Sequence, residues 1–249
     1  MSVIELLYPA FILAVALVFI HSVFGLQIIK RGVIFTDLAI GQIASIGMAL
    51  SITFMGGAYQ NTMTFAFALL AAIIITFATK KIQNIEAFIG LLYALGISSI
   101  MLILAQSPQG SELFAKLSAA DILFISPSQL YKSLGLYIVI ASIMFKIYPK
   151  LQGAKKEFLF FVLLALTVTS SVQSAGVLVV FALLIAPSYA GLSQNRFNHF
   201  AFACVFGSIS VTTALVLSYN FDLPTGYAII FISVFFSLVF VVSKAVFSD

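Results

Sequence analysis

Long apolar runs broken only by short turns dominate this chain, and no water-soluble fold could bury so many of them. A helix needs roughly 17 to 25 apolar residues to cross a bilayer. On that measure nine spans are predicted: Leu6–Ile29, Ile34–Phe54, Thr62–Thr79, Ala87–Ala105, Leu130–Phe145, Phe158–Val172, Gly176–Leu192, Phe200–Tyr219 and Thr225–Val246. In hydrocarbon a single run satisfies its own backbone hydrogen bonds only as a helix. Continuous apolarity also excludes the short alternating segments of a membrane β-barrel. The predicted fold is therefore all-α, a polytopic integral membrane bundle of about nine transmembrane helices. The boundary between the sixth and seventh spans is marked only by Gln173, Ser174 and Ala175.

Composition supports the same class, since 62% of the 249 residues are hydrophobic and only 8% are charged. A soluble surface needs about a quarter of its residues charged. No Pro/Ser-rich linker, charged tail or solenoid-period repeat divides the chain, so residues 1–249 read as one membrane domain. Glu5 precedes the first run with no basic segment before it and no small-residue cleavage site after it. No removable signal peptide is expected. The single Cys204 can form no intrachain disulfide.

Basic residues test the topology. With the N-terminus outside and the C-terminus cytoplasmic, ten of the twelve lysines and arginines fall inside, and Lys116 and Lys132 are the exceptions. That bias is what membrane insertion selects. The net charge of +4 then has a topological meaning, and no nucleic-acid partner is implied.

Ionisable groups within spans are costly and usually face a bundle interior or a watery path. Asp37 stands just inside the second span and His21 near the end of the first, joined by the turn Lys30-Arg31-Gly32. Both could reach one cavity in the cytoplasmic half of the membrane. Imidazole with carboxylate is a partial ligand set for Mn²⁺ or Zn²⁺. The structural alternatives are a helix-to-helix hydrogen bond for His21 and, for Asp37, an ion pair with Arg31 or Lys30. Glu86 and Glu157 begin spans, where helix N-termini favour carboxylates.

Small residues within the second span (Gly41, Ala44, Ser45, Gly47) and the fourth (Gly90, Ala94, Gly96, Ser98, Ser99) permit close helix approach or could line a path. The polar stretch Gln106–Gln129 is expected outside, with a short helix over Glu112–Ala120 capped by Ser111 and Glu112 and with Pro127 ending the apolar piece beyond. It would act as a lid or as a docking surface for a delivering partner. The stretch Lys146–Glu157 carries four lysines, suited to anionic lipid or to a partner protein. No phosphate loop, Ser/His/Asp set, HExxH motif or paired intramembrane carboxylates can be assembled. The chain is expected to be no enzyme and to hydrolyse no nucleotide itself.

Several blocks carry a resemblance: RGVIFTDLAIGQIASIG (Arg31–Gly47), EAFIGLLYALGISS (Glu86–Ser99), SPQG at Ser107, ADILFIS at Ala120, VTSSVQSAGVLVVFALLIAP (Val168–Pro187) and DLPTG (Asp222–Gly226). In this order they resemble the permease subunits of bacterial ABC importers for manganese, zinc and iron. The resemblance implies a permease domain over the whole chain, in the bacterial inner membrane, working as a homodimer. It also implies cytoplasmic ATP-binding subunits and an extracytoplasmic solute-binding protein. The transported divalent ion, Zn or Mn, would be substrate, with no cofactor bound by the chain. Asp37 and His21 match family positions and would meet the metal. Gln42, Ser45, Ser98 and Ser99 would line a path between the second and fourth spans. Pro149, Lys150, Gln152, Gly153, Lys155 and Lys156 would form the segment received by the ATPase.

This chain departs from relatives that carry histidine at Gln27, Gln109, Leu113 and Gly41, and its coupling segment is short. Two other readings compete. A secondary carrier or channel would need more buried titratable groups than the chain offers, and a non-transporting scaffold would account for the missing histidines.

Overall fold

The computed structural model describes residues 3–120 and 122–247, and among these it contains ten α-helices and no strand. Asp121, within the block at Ala120, and the extreme ends of the expected domain lie outside the described residues. The helices are α1 (Val3–Arg31), α2 (Thr36–Met55), α3 (Gln60–Lys81), α4 (Ile85–Leu104), α5 (Gly110–Ser118), α6 (Pro127–Lys146), α7 (Gly153–Ala175), α8 (Val177–Leu192), α9 (His199–Phe221) and α10 (Thr225–Phe247), with 3₁₀ turns at Ile122–Phe124 and Tyr148–Lys150.

Eight of these helices are long and apolar enough to cross a membrane. The ninth apolar helix, α8, has 16 residues, about 24 Å at 1.5 Å per residue against a hydrocarbon layer of about 30 Å. It packs against α1, α2, α7, α9 and α10, so protein shields much of its surface from lipid. It follows α7 after one break, at Gly176, whose φ of 86° is unfavourable for other residues. A Cβ at Gly176 would also stand 2.7 Å from the backbone of Ala119 and Ala120. The Ala120 amide donates to the Ala175 carbonyl at 3.0 Å, which ties the segment after α5 to this break.

Boundaries shift from expectation by a few residues along the chain, and three of the shifts have a clear local cause. The sixth span begins at Gly153 and not at Phe158, because charged residues beyond the hydrocarbon do not stop a helix. Lys155, Lys156 and Glu157 are therefore helical. The short helix α5 starts at Gly110, with Gln109 before it making no side-chain cap. Ser111 and Glu112 thus lie inside its first turn, and Glu112 accepts a 2.6 Å bond from Lys116 one turn on. At α6, Ser126 and Gln129 form a reciprocal capping box with Pro127 in the first turn, an arrangement that satisfies open amides and needs no proline N–H.

Helix α1 packs on α6, α8 and α9, and α2 on α3, α4 and α7. Close approach depends on small side chains. A Cβ at Gly25 of α1 would run into the Leu184 carbonyl and Ser188 hydroxyl of α8. A Cβ at Gly96 of α4 would stand 2.6 Å from Gln42 Cβ. Gly41, Ala44, Ser45 and Gly47 are all buried, which is the packing role; in α4, however, Gly96 is buried while Ala94 and Ser98 are exposed. Helix α4 covers α2 with one face and leaves Leu91 (71%) and Leu102 (72%) open.

Candidate translocation site and coupling segment

The turn between α1 and α2 sets the position of Asp37. Gly32 takes a φ of 68°, the Gly32 amide donates to the Ile29 carbonyl at 3.1 Å, and the Thr36 hydroxyl donates to the Val33 carbonyl at 2.7 Å. Phe35 precedes α2 and offers no capping side chain. Its own amide instead donates to Glu86 Oε1 of α4, at 3.2 Å. Asp37, the second residue of the helix, therefore stands where amide dipoles point outward and favour negative charge.

The Asp37 carboxylate is 1% exposed, and its oxygens meet no side-chain partner, only the amides of its own first turn, Asp37 and Leu38. A buried carboxylate without a charged partner or ion is expensive. The alternative pairing with Arg31 is absent. Arg31 instead makes an ion pair with Glu157, donates to Tyr148 Oη at 2.7 Å and lies 4.1 Å over the Phe160 ring. The expected role of Glu157 as a helix-end carboxylate gives way to this pairing.

His21 is fully buried. Its Nδ1 lies 2.9 Å from the Leu17 carbonyl one turn back, so the expected bond to another helix is not made through that atom. Nε2 has no partner, and it is not hydrogen-bonded to Asp37. No group of three or more His, Cys, Asp and Glu side chains able to hold a metal occurs among the described residues.

Asp37, Gly41 and Ser45 follow one another at helical spacing on α2. A Cβ at Gly41 would stand 2.7 Å from Val177 Cγ2 and near Val172 and Val168, so valines fill the space one turn from the carboxylate. Ser45 is buried with an unpartnered hydroxyl, and Gln42 is buried against α4. Ser98 faces outward and returns its hydroxyl to the Ala94 carbonyl at 2.8 Å. Ser99 is half-buried.

The stretch Pro149–Lys156 is a compact surface feature. Pro149, Lys150, Gln152, Gly153 and Lys155 are exposed, and the Lys156 ammonium lies 5.0 Å over the ring of buried Tyr148. Arg31 thus joins this segment to the turn that carries Asp37. Sequence offered no signal for that link, because its partners lie more than a hundred residues away. A second organiser was also missed. Buried Gln194 holds the turn after α8 by donating to the Phe197 carbonyl (2.9 Å) and accepting from the amides of Arg196 (2.9 Å) and Phe197 (2.8 Å). A polar residue between two apolar runs, followed by the Asn198 cap, was the available hint.

Residues 150–245 match the family described as ABC 3 transport family. Over most of its length the chain is similar to the manganese transport system membrane protein MntC of Listeria monocytogenes serovar 1/2a, at 26% identity covering 91% of this chain and 86% of that protein. It is also similar to the high-affinity zinc uptake system membrane protein ZnuB of Haemophilus influenzae, at 23% identity covering 93% and 95%. The fold matches PsaBC from Streptococcus pneumoniae, solved in complex with Fab, with a TM-score of 0.75 and 22% identity covering 94% of this chain and 90% of that one. Together with its apolar helices, these likenesses make the chain a multi-pass integral protein of a bacterial plasma membrane.

Proposed function

We propose that this chain, which carries an ABC 3 transport family domain over residues 150–245, is the membrane-spanning permease subunit of an ATP-driven importer for a divalent transition metal, manganese or zinc. The observation that carries the reading is Asp37, a carboxylate enclosed in the bundle with no side-chain partner, in a chain related along most of its length to membrane proteins of metal transport systems. A doubly charged ion crossing hydrocarbon loses its hydration, and a fixed anion lowers that barrier.

In this reading the permease works as a homodimer, with its N-terminus outside and its C-terminus in the cytoplasm. Separate cytoplasmic subunits bind ATP, and an external binding protein supplies the ion. Closure of the ATP-binding subunits acts on Pro149–Lys156 and passes through Arg31 to the α1–α2 turn. His21 Nε2, Gln42 and Ser45 are the further polar groups on the path; Ser98 and Ser99 would join it only at an interface that covers α4. The connection of Arg31 to Tyr148 and Glu157 supports such a linkage, because it joins the surface segment to the helix end nearest Asp37.

The test is uptake of radiolabelled manganese and zinc by vesicles carrying Asp37→Ala. Uptake should be lost while the protein still assembles in the membrane. Unchanged uptake would remove Asp37 from the mechanism. Retention of an ATP-binding subunit on co-purification distinguishes this importer from a carrier that needs no ATP.

A further inference from the structure

The turn that leads into Asp37 is gripped by three other helices. Arg31 ties its first end to α7 through Glu157. The Phe35 ring stacks on Phe181 of α8, within 7° of parallel and with centroids 6.2 Å apart. The Phe35 amide donates to Glu86 Oε1 of α4 at 3.2 Å, and Glu86 Oε2 is buried. A helix leaves its leading N–H groups without intrahelical acceptors, and at the start of α2 each of them finds another. Phe35 donates to Glu86, Thr36 to the Val33 carbonyl at 3.2 Å, and the amides of Asp37 and Leu38 to the Asp37 carboxylate itself. Glu86, which by its place at the start of α4 was expected to serve that helix, therefore serves α2.

We propose that Glu86 is a positioning residue for Asp37: by accepting the Phe35 N–H it holds the turn against α4 and leaves the Asp37 carboxylate free for the ion. The inference rests on the metal-permease reading and adds a residue to that same site. Remove Glu86, and the Phe35 amide loses its acceptor. Asp37 then stands two residues away, and carboxylates in the first turn of a helix reach back to an open amide before it. A carboxylate drawn back in this way presents less of its charge to a passing dication. The role asks for a hydrogen-bond acceptor at this place and not for a second negative charge. That distinction separates it from direct contact of Glu86 with the ion.

The experiment compares Glu86→Met, Glu86→Ala and Glu86→Gln in the full-length chain by two measurements: hydrogen exchange over Val33–Leu38 in lipid nanodiscs, and vesicle uptake of radiolabelled manganese and zinc from their chloride salts. Methionine keeps the side-chain length without a strong acceptor, so a collapse of the alanine variant does not decide the result. Glu86→Met should speed exchange and lower uptake about tenfold, the scale of one charge-assisted hydrogen bond. Glu86→Gln keeps a carbonyl acceptor and should hold exchange near the parent rate and uptake within about threefold of it. Unchanged exchange or unchanged uptake in Glu86→Met overturns the proposal. So does Glu86→Gln uptake as low as that of Glu86→Met with exchange still protected, because the charge and not the bond would then matter. Any of these results beside normal uptake by the parent sinks this inference alone, whereas a parent that takes up neither metal sinks the metal-permease reading and this inference with it.

Discussion

Arg31 and Glu157, 126 positions apart in the chain, form an ion pair that joins the end of α1 to the start of α7. Tyr148 receives a second bond from the same guanidinium at 2.7 Å, and Phe160 lies beneath it. Arg31→Ala should therefore cost more than the Coulombic pair alone, about 1–3 kcal/mol for its charge-assisted bonds and stacking. Thermal unfolding in detergent should show the loss, and Arg31→Lys should restore only part of it, because an ammonium cannot reach two acceptors with one planar fork. Equal stability of Arg31→Ala and the parent would show the link to be idle.

Asp37→Asn gives the opposite stability result. The substitution removes a buried charge that has no side-chain partner, so the melting temperature should stay level or rise. Uptake should fall at least tenfold, equivalent to about 1.4 kcal/mol of lost stabilisation. A large drop in stability with uptake intact would identify Asp37 as a structural residue.

Gly41→His should destabilise the bundle, because a Cβ there already meets Val177 at 2.7 Å and overpacking of this kind costs about 1–3 kcal/mol. Val177→Ala in the same chain should recover much of the loss. Comparison of unfolding midpoints for the single and double variants measures the coupling. Additive effects would mean that Val177 does not fill this space.

Gly25→Leu should separate α1 from α8, since even a Cβ overlaps the Leu184 carbonyl and backbone yields less readily than side chains. Folded yield after detergent extraction should drop sharply. Gly90→Leu, on α4 where a Cβ meets nothing within 4 Å, is the matched control and should extract normally.

Orientation is open to direct measurement. In a Cys204→Ser background, Gln152→Cys should react with a membrane-impermeant thiol reagent only after the cytoplasmic face is made accessible. Gln152 is exposed, so burial cannot mimic protection. Labelling of intact cells would invert the topology and detach Pro149–Lys156 from any cytoplasmic motor.

Most of the helices could be read from the sequence because span length and apolarity are local properties. The start of α7 was misplaced for the same reason: Lys155, Lys156 and Glu157 look like a loop by charge, yet they continue a helix whose end projects beyond the apolar run. The burial of Asp37 was also legible, since a carboxylate inside an apolar run stands out. Its lack of an ion-pair partner was not, because the nearby basic residue Arg31 pairs with Glu157 instead.

By itself the order of residues determined an all-helical membrane protein with its charges at the turns, because hydrocarbon admits little else for runs this long and apolar. Only the tertiary structure decided that Arg31 joins Glu157, that Val177 fills the space beside Gly41, and that Glu86 accepts the Phe35 amide. Each of these depends on groups brought together from distant parts of the chain, and no local pattern encodes that proximity.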